Sequence, residues 1–300
     1  MRPSTTRRRT TTAGLAAAAA LALLAACAEE PPPEVEVTVS GEPGEAPTLT
    51  YETPLVVEEA RHELVWEGSG PKVEEGRPIL LDFYAESGED GSVINETYSS
   101  EPRPYLLSAD VLGVDIFEAL VGQRVGSRIL HLVPPDATSG AATVAVFDLL
   151  PTRASGEEVE PREGLPTVTL GDHGEPSVAV PEGDPPADLV VQPLIRGAGE
   201  QIAAGQVVTV QYVGVTWSDG TVFDSTWTEG KLPASFPIGV GSVMAGWDQG
   251  LVEQTVGSQV LLVVPPELGY GGDDELSAET LVFVVDILHV SGDPVSVAQP

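Results

Sequence analysis

Residues 207–225 decide the fold, because they combine a strand-forming run with a tight turn. The first run, VVTVQYV at 207–213, is rich in the β-branched and aromatic residues that strands favour. The turn SDG at 218–220 follows, and an Asp-Gly pair between apolar runs is typical of a hairpin. The run TVFDS at 221–225 comes next. This stretch therefore predicts an antiparallel pair of strands.

The residues that follow add two long strands and one short helix. The run QVLLVV at 259–264 stops at two prolines, and LVFVVDIL at 281–288 forms the final long strand. Before them, residues 244–254 place Trp247 and Leu251 four positions apart, which is helical spacing. We expect an α+β fold, in which an antiparallel sheet curls around one short helix.

The same unit occurs twice in the chain. Three segments match in order, 129 to 131 residues apart, and chance gives one such match but hardly three in register. The matched pairs are GSVINETY at 91–98 with GTVFDSTW at 220–227, LVGQRVGS at 120–127 with LVEQTVGS at 251–258, and VPP at 133–135 with VPP at 264–266.

Composition and the repeat together divide the chain into six parts. The parts are a signal peptide (1–26), an acidic and proline-rich tether (27–46), the first unit (47–151), a linker rich in Glu, Gly and Pro (152–164), the second unit (165–291, with its core at 189–290) and a tail (292–300).

The charge balance excludes several classes of protein. The chain has 46 acidic and 14 basic side chains, a formal net charge of −32. Residues 1–26 hold four of the bases and no acid, so the remainder has ten bases and a charge of −36. Neutralising phosphates requires Lys and Arg, so we exclude a nucleic-acid binder. One cysteine allows no intrachain disulfide, and the four histidines form no HxxxH-type pair, so no metal site is expected.

The first 27 residues have the layout of an export signal. Three arginines at 7–9 precede an apolar stretch at 13–26, which is shorter than the roughly 20 residues of a membrane-spanning helix. The stretch ends in LAAC at 24–27, which resembles the bacterial lipobox, whose cysteine is lipidated. We expect Cys27 to anchor the protein outside the cytoplasm, with the membrane contacted through lipid only. An ordinary secretory signal with a chance cysteine is the alternative, and the export route, Sec or twin-arginine, stays open.

The second unit resembles the FK506-binding (FKBP) family of peptidyl-prolyl cis-trans isomerases from about residue 189 to 290. Several ordered motifs carry the resemblance. They are VQYVG at 210–214, DGTVFDS at 219–225, GSVMAGWDQGL at 241–251, PPELGYG at 265–271 and LVFVVDI at 281–287.

This resemblance implies an isomerase with an apolar pocket. Rotation about an X–Pro bond meets a barrier of about 18–20 kcal/mol, because amide resonance is lost in the twisted state. An aromatic pocket that excludes water favours the less polar twisted imide, and the reaction needs no metal or cofactor. By resemblance Trp247 forms the pocket floor. The walls implied in the same way are Tyr212, Phe223, Phe236, Val243 and Phe283.

Polar roles are implied for three further residues. The backbone N–H of Met244 lies at the start of the helix, where N–H groups lack intrahelical partners, and would donate to a substrate carbonyl. Tyr270 would donate from its hydroxyl. Asp224 would lie at the rim, either hydrogen-bonded to Tyr212 or set against the twisting amide. From spacing alone, these aromatic residues would be ordinary core and Asp224 a solvated cap.

Two departures from the family pattern matter. After Tyr270 the flap is short and acidic, GGDDELSAET at 271–280, and Leu276 is the one large apolar residue left to cover a substrate. In the first unit the register replaces Tyr212 by Phe83, Phe223 by Ile94, Asp224 by Asn95 and Trp247 by Ile116. We interpret the first unit as a degenerate, inactive copy.

Two functions are compatible with these patterns. The first is a prolyl isomerase that acts on proline-containing unfolded or exported polypeptides and accepts a macrolide inhibitor in its pocket. The alternative is a non-catalytic chaperone or proline-segment binding module on the cell surface. The complete aromatic and polar set of the second unit favours the isomerase, whereas the degenerate copy and the short flap keep the alternative open.

Overall fold

The β-branched runs form strands in a computed structural model, which describes residues 36–136, 139–272 and 275–295. The signal peptide, Cys27, the first part of the tether and the end of the tail lie outside the described residues. The strands are β1 (Thr38–Ser40), β2 (Thr48–Thr50), β3 (Arg61–Trp66), β4 (Pro78–Ser87), β5 (Val93–Glu96), β6 (Arg103–Leu106), β7 (Arg128–Val133), β8 (Thr143–Leu150), β9 (Glu157–Glu158), β10 (Thr167–Leu170), β11 (Pro176–Ala179), β12 (Val190–Arg196), β13 (Val207–Thr216), β14 (Val222–Ser225), β15 (Ala234–Pro237), β16 (Gln259–Val264) and β17 (Leu281–Ser291). The helices are α1 (Ala109–Leu112), α2 (Val114–Leu120) and α3 (Ala245–Leu251), with a 3-10 turn at Pro266–Leu268.

The two units have the same sheet. In the first the strand order is β3-β7-β8-β4-β5, with β6 also paired to β4. In the second it is β14-β13-β17-β16-β12, with β15 also paired to β13. Read from β12 to β14, this is the strand order of the first sheet from β3 to β5. All pairs are antiparallel. The predicted α+β architecture with two related units is confirmed.

Irregularities in the sheets also repeat. A register shift falls between Leu64 and Trp66 in β3, and between Pro193 and Ile195 in β12. Another falls after Ala85 in β4, and after Gly214 in β13. Each pair is offset by 129 residues, the same offset as the match of residues 91–98 with 220–227. Bulges bend a strand locally and are specific features of a fold, so their recurrence shows that the units share more than strand count.

The central strands of the second sheet are buried on both faces. One face packs on α3 through Val260, Leu262 and Phe283. The other face, with Val263 and Val284, is covered by the hairpin of β10 and β11. Burial on both faces explains why β16 and β17 are continuous apolar runs and do not alternate with polar residues.

The Asp-Gly turn forms where the sequence predicts it. Gly220 has φ of 72°, a conformation that glycine adopts without steric cost, and its N–H donates to the carbonyl of Thr216. The Asp219 carboxylate accepts hydrogen bonds from the Thr216 hydroxyl at 2.6 Å and the Thr221 N–H at 2.9 Å. These bonds connect β13 to β14 and place Phe223 and Asp224 beside β13.

The segment predicted as a linker is bound along the edge of the second sheet. β9 pairs with Ile195 and Arg196 of β12, and the Val159 N–H donates to the carbonyl of Leu194. Further along, Arg162 donates to the Gln192 side chain and to the carbonyl of Val191. The equivalent strand of the first sheet, β3, has no such cover among the described residues.

Candidate active site

Trp247 forms the floor of an aromatic cluster at the helix of the second unit. Its side chain lies on α3 and is 4% exposed. Three rings meet it at their edges, with centroid distances of 5.2 Å to Tyr212, 5.5 Å to Phe236 and 5.4 Å to Phe283. Edge-to-face contacts suit the quadrupoles of aromatic rings and fix their orientation. Trp247 is therefore the residue on which the three rings converge, and its role as a pocket floor stays a prediction.

Phe223 and Tyr270 extend the aromatic wall. Phe223 lies edge-on to Phe283 at 5.5 Å and to Tyr270 at 6.3 Å. A Cβ atom added at Gly214 would lie 2.7 Å from the Phe223 ring and 2.9 Å from the Phe283 ring, so only glycine fits behind them. Gly214 was not singled out from the sequence, because the need for it arises from rings that reach it from two other strands.

One short hydrogen bond defines the polar rim. The Tyr212 hydroxyl donates to Asp224 at 2.5 Å, and the Ser225 N–H donates to the same carboxylate at 2.9 Å. This is the first of the two positions predicted for Asp224. Burial, and then the hydrogen bond to Asp224, raise the pKa of Tyr212 above its usual range. The phenol therefore stays protonated at neutral pH and keeps the orientation that the carboxylate sets.

The loop before α3 is held by a residue that sequence reasoning missed. Asp248, in the first turn of α3, accepts the N–H groups of Gly239 and Gly241, each at 2.7 Å. Met244 is the N-cap residue, and its carbonyl accepts the N–H of Trp247 at 3.0 Å. Asp248 thus fixes the loop that leads to Met244. An acid in a first helical turn after two closely spaced glycines is the signal that could have identified it.

The structure brings the predicted pocket residues into one cluster. Trp247 and Phe283 are buried, and the others are partly buried and pack against the same core. Asp224 lies at the cluster through its bond to Tyr212. Their individual roles in catalysis stay predictions. The partly buried members are Tyr212, Phe223, Phe236, Val243, Met244, Tyr270 and Leu276.

The equivalent place in the first unit lacks the polar rim. Sheet register aligns Phe83 with Tyr212 and Asn95 with Asp224, because each pair makes matching cross-strand contacts. The third residue of α2 is Ile116, where α3 has Trp247. This arrangement offers no hydroxyl–carboxylate pair and no indole floor. Inactivity of the first unit stays a prediction.

The described residues contain neither a metal-site grouping nor a membrane-spanning helix. In the part of the chain that the structure describes, no three His, Cys, Asp or Glu side chains are grouped as a metal site would require. Within the same residues, no helix has the length and apolar character needed to cross a bilayer.

Comparisons with known proteins name one family, and its sequence profile matches inside the second unit. The sequence profile of FKBP-type peptidyl-prolyl cis-trans isomerase matches residues 198–288. An FK506-binding protein of Streptomyces anulatus is 42% identical over 121 residues, which are 39% of this chain and 97% of that protein. A probable FK506-binding protein of Corynebacterium glutamicum is 38% identical over 117 residues, 38% of this chain and 97% of that protein. The crystal structure of the three FKBP domains of wheat FKBP73 aligns at 20% identity and a TM-score of 0.32, covering 78% of this chain and 95% of that one.

The second unit combines an antiparallel sheet around a short helix with an aromatic cluster on Trp247 and a hydrogen bond from Tyr212 to Asp224. The bacterial relatives are covered almost completely by the second unit. This chain belongs to the FKBP-type family of peptidyl-prolyl cis-trans isomerases. Its enzymatic activity is cis-trans isomerisation of X–Pro bonds.

Proposed function

We propose that the protein isomerises X–Pro bonds in exported polypeptides while a lipid on Cys27 holds it at the outer face of the cell membrane. The lipobox-like end of the apolar stretch supports the anchor, and the acidic tether supports a position away from the bilayer surface. A reaction without ATP, metal or disulfide chemistry suits an extracytoplasmic compartment. The relatives named for binding FK506 support binding of such a macrolide in this pocket.

The observation that carries the isomerase mechanism is the ring arrangement on Trp247. Three aromatic rings lie edge-to-face with the indole at 5.2 to 5.5 Å, and we infer that a proline ring sits against them in an apolar seat. In this seat the imide exchanges water for an apolar surface. Because the twisted imide is less polar than the planar one, that exchange lowers the barrier to rotation. Tyr212 and Asp224 form a hydrogen-bonded polar edge beside this seat. The donor to a substrate carbonyl would be the Met244 N–H at the start of α3.

The first test removes the rim carboxylate. In the full chain, Asp224→Ala should lower kcat/KM on a short proline peptide about tenfold, because Tyr212 loses the acceptor that orients it. The matched control is Asn95→Ala at the equivalent place in the first unit, which should leave the rate unchanged. Circular dichroism checks that both variants are folded. Full activity of Asp224→Ala would remove this carboxylate from the mechanism.

A second function is supported by the surface of the first unit. Four apolar side chains there are 53% to 59% exposed, and Ile94 among them occupies the place of Phe223. A contiguous exposed apolar patch is typical of a surface that binds other chains, and we infer that these side chains form one. The first unit would then hold unfolded polypeptide while the second isomerises it. The four side chains are Val93, Ile94, Val111 and Val114.

The binding function is tested with an aggregating protein substrate. Ile94→Asp should lose protection against aggregation while its rate on a short proline peptide stays unchanged. If isomerisation by the second unit is the whole activity, the results should be reversed. Protection against aggregation would then be unaffected by Ile94→Asp and lost in Asp224→Ala.

A further inference from the structure

A cleft between the two units gathers a large share of the positive charge of the chain. Its volume is about 400 Å³. From the first unit it is lined by the loop at 71–78. The linker contributes Thr152 and Arg153, and the second unit contributes the loop at 226–231. We call this space the interunit cleft. None of these residues belongs to the aromatic pocket on Trp247.

Four cationic side chains line the interunit cleft. They are four of the ten lysines and arginines that remain after residue 26. Among the described residues, none of the four forms an ion pair or donates a side-chain hydrogen bond. Arg77 and Arg153 interact electrostatically with Glu175 and Asp286, which lie beyond salt-bridge distance. The hydrogen-bond donors of the four cations are therefore open to an anion that is supplied from outside. The four are Lys72, Arg77, Arg153 and Lys231.

Three acids also line the cleft and limit what can bind. Glu74 lies 4.0 Å from His173 across the cleft, and Asp172 and Glu229 are the other two. Four cations against three acids give a small positive excess in a molecule that is otherwise strongly negative. A polyanion would meet these acids at unfavourable distances. A ligand with one anionic group and several hydroxyls would use the cations and would also donate to the carboxylates.

The wall of the cleft contains polar atoms without partners. The Gln211 side chain is 1% exposed, and its amide donates to the carbonyl of Thr152 at 2.8 Å, but its Oε1 atom accepts no hydrogen bond. The indole N–H of Trp227 is also buried without an acceptor. Each such group costs about 1–3 kcal/mol when it has no partner.

We propose that the interunit cleft binds a small phosphorylated polyol. Arg77 and Arg153 have the planar fork that bonds two phosphate oxygens at once, and Lys72 and Lys231 supply compact charges beside it. The carboxylates of Glu74, Asp172 and Glu229 accept hydrogen bonds from the hydroxyls. The volume fits a ligand of this size, since sites for small molecules commonly enclose about 300–1,000 Å³. The same chemistry occurs in a free polyol phosphate and at the end of a polyol-phosphate polymer.

Binding is tested by calorimetry on the full chain in detergent. Glycerol 3-phosphate should bind, and glycerol should not. Arg77→Gln and Lys231→Gln, made separately, should each weaken binding about tenfold, because each removes a charged hydrogen-bond donor. The matched control is Arg103→Gln, which removes the same charge from an exposed arginine on β6 outside the cleft. Isomerase activity on a proline peptide should be unchanged in all three variants.

The remaining outcomes each decide the proposal. Equal, weak binding of inorganic phosphate, sulfate and glycerol 3-phosphate would indicate an adventitious ion only and would overturn it. The proposal would also be overturned if glycerol 3-phosphate did not bind up to about 10 mM. The same holds if Arg77→Gln and Lys231→Gln bound it as tightly as the native chain does. Binding of a glutamate-rich peptide in place of glycerol 3-phosphate would contradict the ligand class. Tighter binding of a short glycerol-phosphate oligomer supports a polymer, and tighter binding of the monoester supports a free ligand.

Discussion

Three positions change together between the two copies. The second unit has Gly214 under the rings of Phe223 and Phe283. In the register of the first sheet, Ala85 occupies the place of Gly214. Ile94 occupies the place of Phe223, and Ala145 that of Phe283. When the two rings are absent, the methyl group of alanine fits, and it reduces the empty space they would leave. The pocket is therefore defined by a set of residues whose volumes compensate one another.

Gly214→Ala should lower isomerase activity while the domain stays folded. The added Cβ would lie under 3 Å from two aromatic rings, so the rings must move, and Phe223 is part of the pocket wall. We expect a loss of about tenfold in kcat/KM and a destabilisation of about 1–3 kcal/mol from overpacking. The reciprocal change in the first unit, Ala85→Gly, should leave the rate unchanged. An unchanged rate in Gly214→Ala would show that these rings do not hold the substrate.

Asp286 should make the stability of the second unit depend on pH. Burial raises its pKa from 3.8 to about 6, and this outweighs the hydrogen bonds from the Ala154 N–H and the Gln259 amide. Between those values the folded state binds more protons than the unfolded state, so the free energy of unfolding falls as the pH rises. The stabilisation that protonated Asp286 gives the folded state is complete below about pH 4. About 3 kcal/mol of this stabilisation is lost by pH 6 to 7.

Urea unfolding of Asp286→Asn from pH 4 to pH 7 checks this expectation. The asparagine does not titrate, so the stability of the variant relative to the native chain should increase over that interval. A difference that stays constant with pH would mean that Asp286 titrates near its ordinary value.

Sequence patterns predicted the strands whose signals are local. The run at 207–213, the Asp-Gly turn and the helix around Trp247 all have their cause within a few residues. The pairing of β9 with the edge strand β12 was not predicted. Glutamates have low strand propensity, and β9 forms only by pairing with a strand some 35 residues later. Composition alone therefore indicated a solvated linker.

The candidate site was predictable through its motifs, and its geometry was not. Tyr212 and Asp224 lie in quoted motifs, but two positions for Asp224 were equally open until the 2.5 Å bond distinguished them. Gly214 acts through rings on two other strands, so no local pattern identifies it. Asp248 bonds glycines nine and seven positions before it, so a local pattern could have identified it. The interunit cleft is less predictable still, because its cations are separated by up to 159 residues, from Lys72 to Lys231.

The linker should decide how well the second unit folds alone. A fragment of residues 165–300 lacks the Ala154 N–H that bonds Asp286 and the Thr152 carbonyl that accepts from Gln211. We expect it to be about 1–3 kcal/mol less stable than a fragment of residues 152–300, because water replaces these buried partners only in part. Chemical denaturation of the two fragments compares them directly.

The same pair of fragments tests where the activity lies. Residues 152–300 should turn over a short proline peptide as fast as the full chain, whereas residues 47–151 should be inactive. Comparable activity of residues 47–151 would contradict the assignment of the rim carboxylate and indole floor to catalysis.

Anchoring concerns the chain as a whole. Cys27→Ala should release the protein from the membrane or leave it unprocessed, because the apolar stretch at 13–26 is too short to span the bilayer. Fractionation of cells into membrane and medium measures the difference. Equal membrane retention of Cys27→Ala and the native chain would contradict the lipid anchor, and the isomerase activity of both should be the same.

The two copies protect an outer sheet edge in different ways, with consequences for aggregation. β3 is open but carries Arg61, His62 and Glu63, and charged side chains discourage a second molecule from adding a strand. β12 reads VVQPLIR and has little charge, and the segment at 157–162 occupies its backbone groups. Shear or proteolysis that detached this segment would turn the enzyme into a template for intermolecular strand addition, interrupted only where Pro193 lacks an N–H.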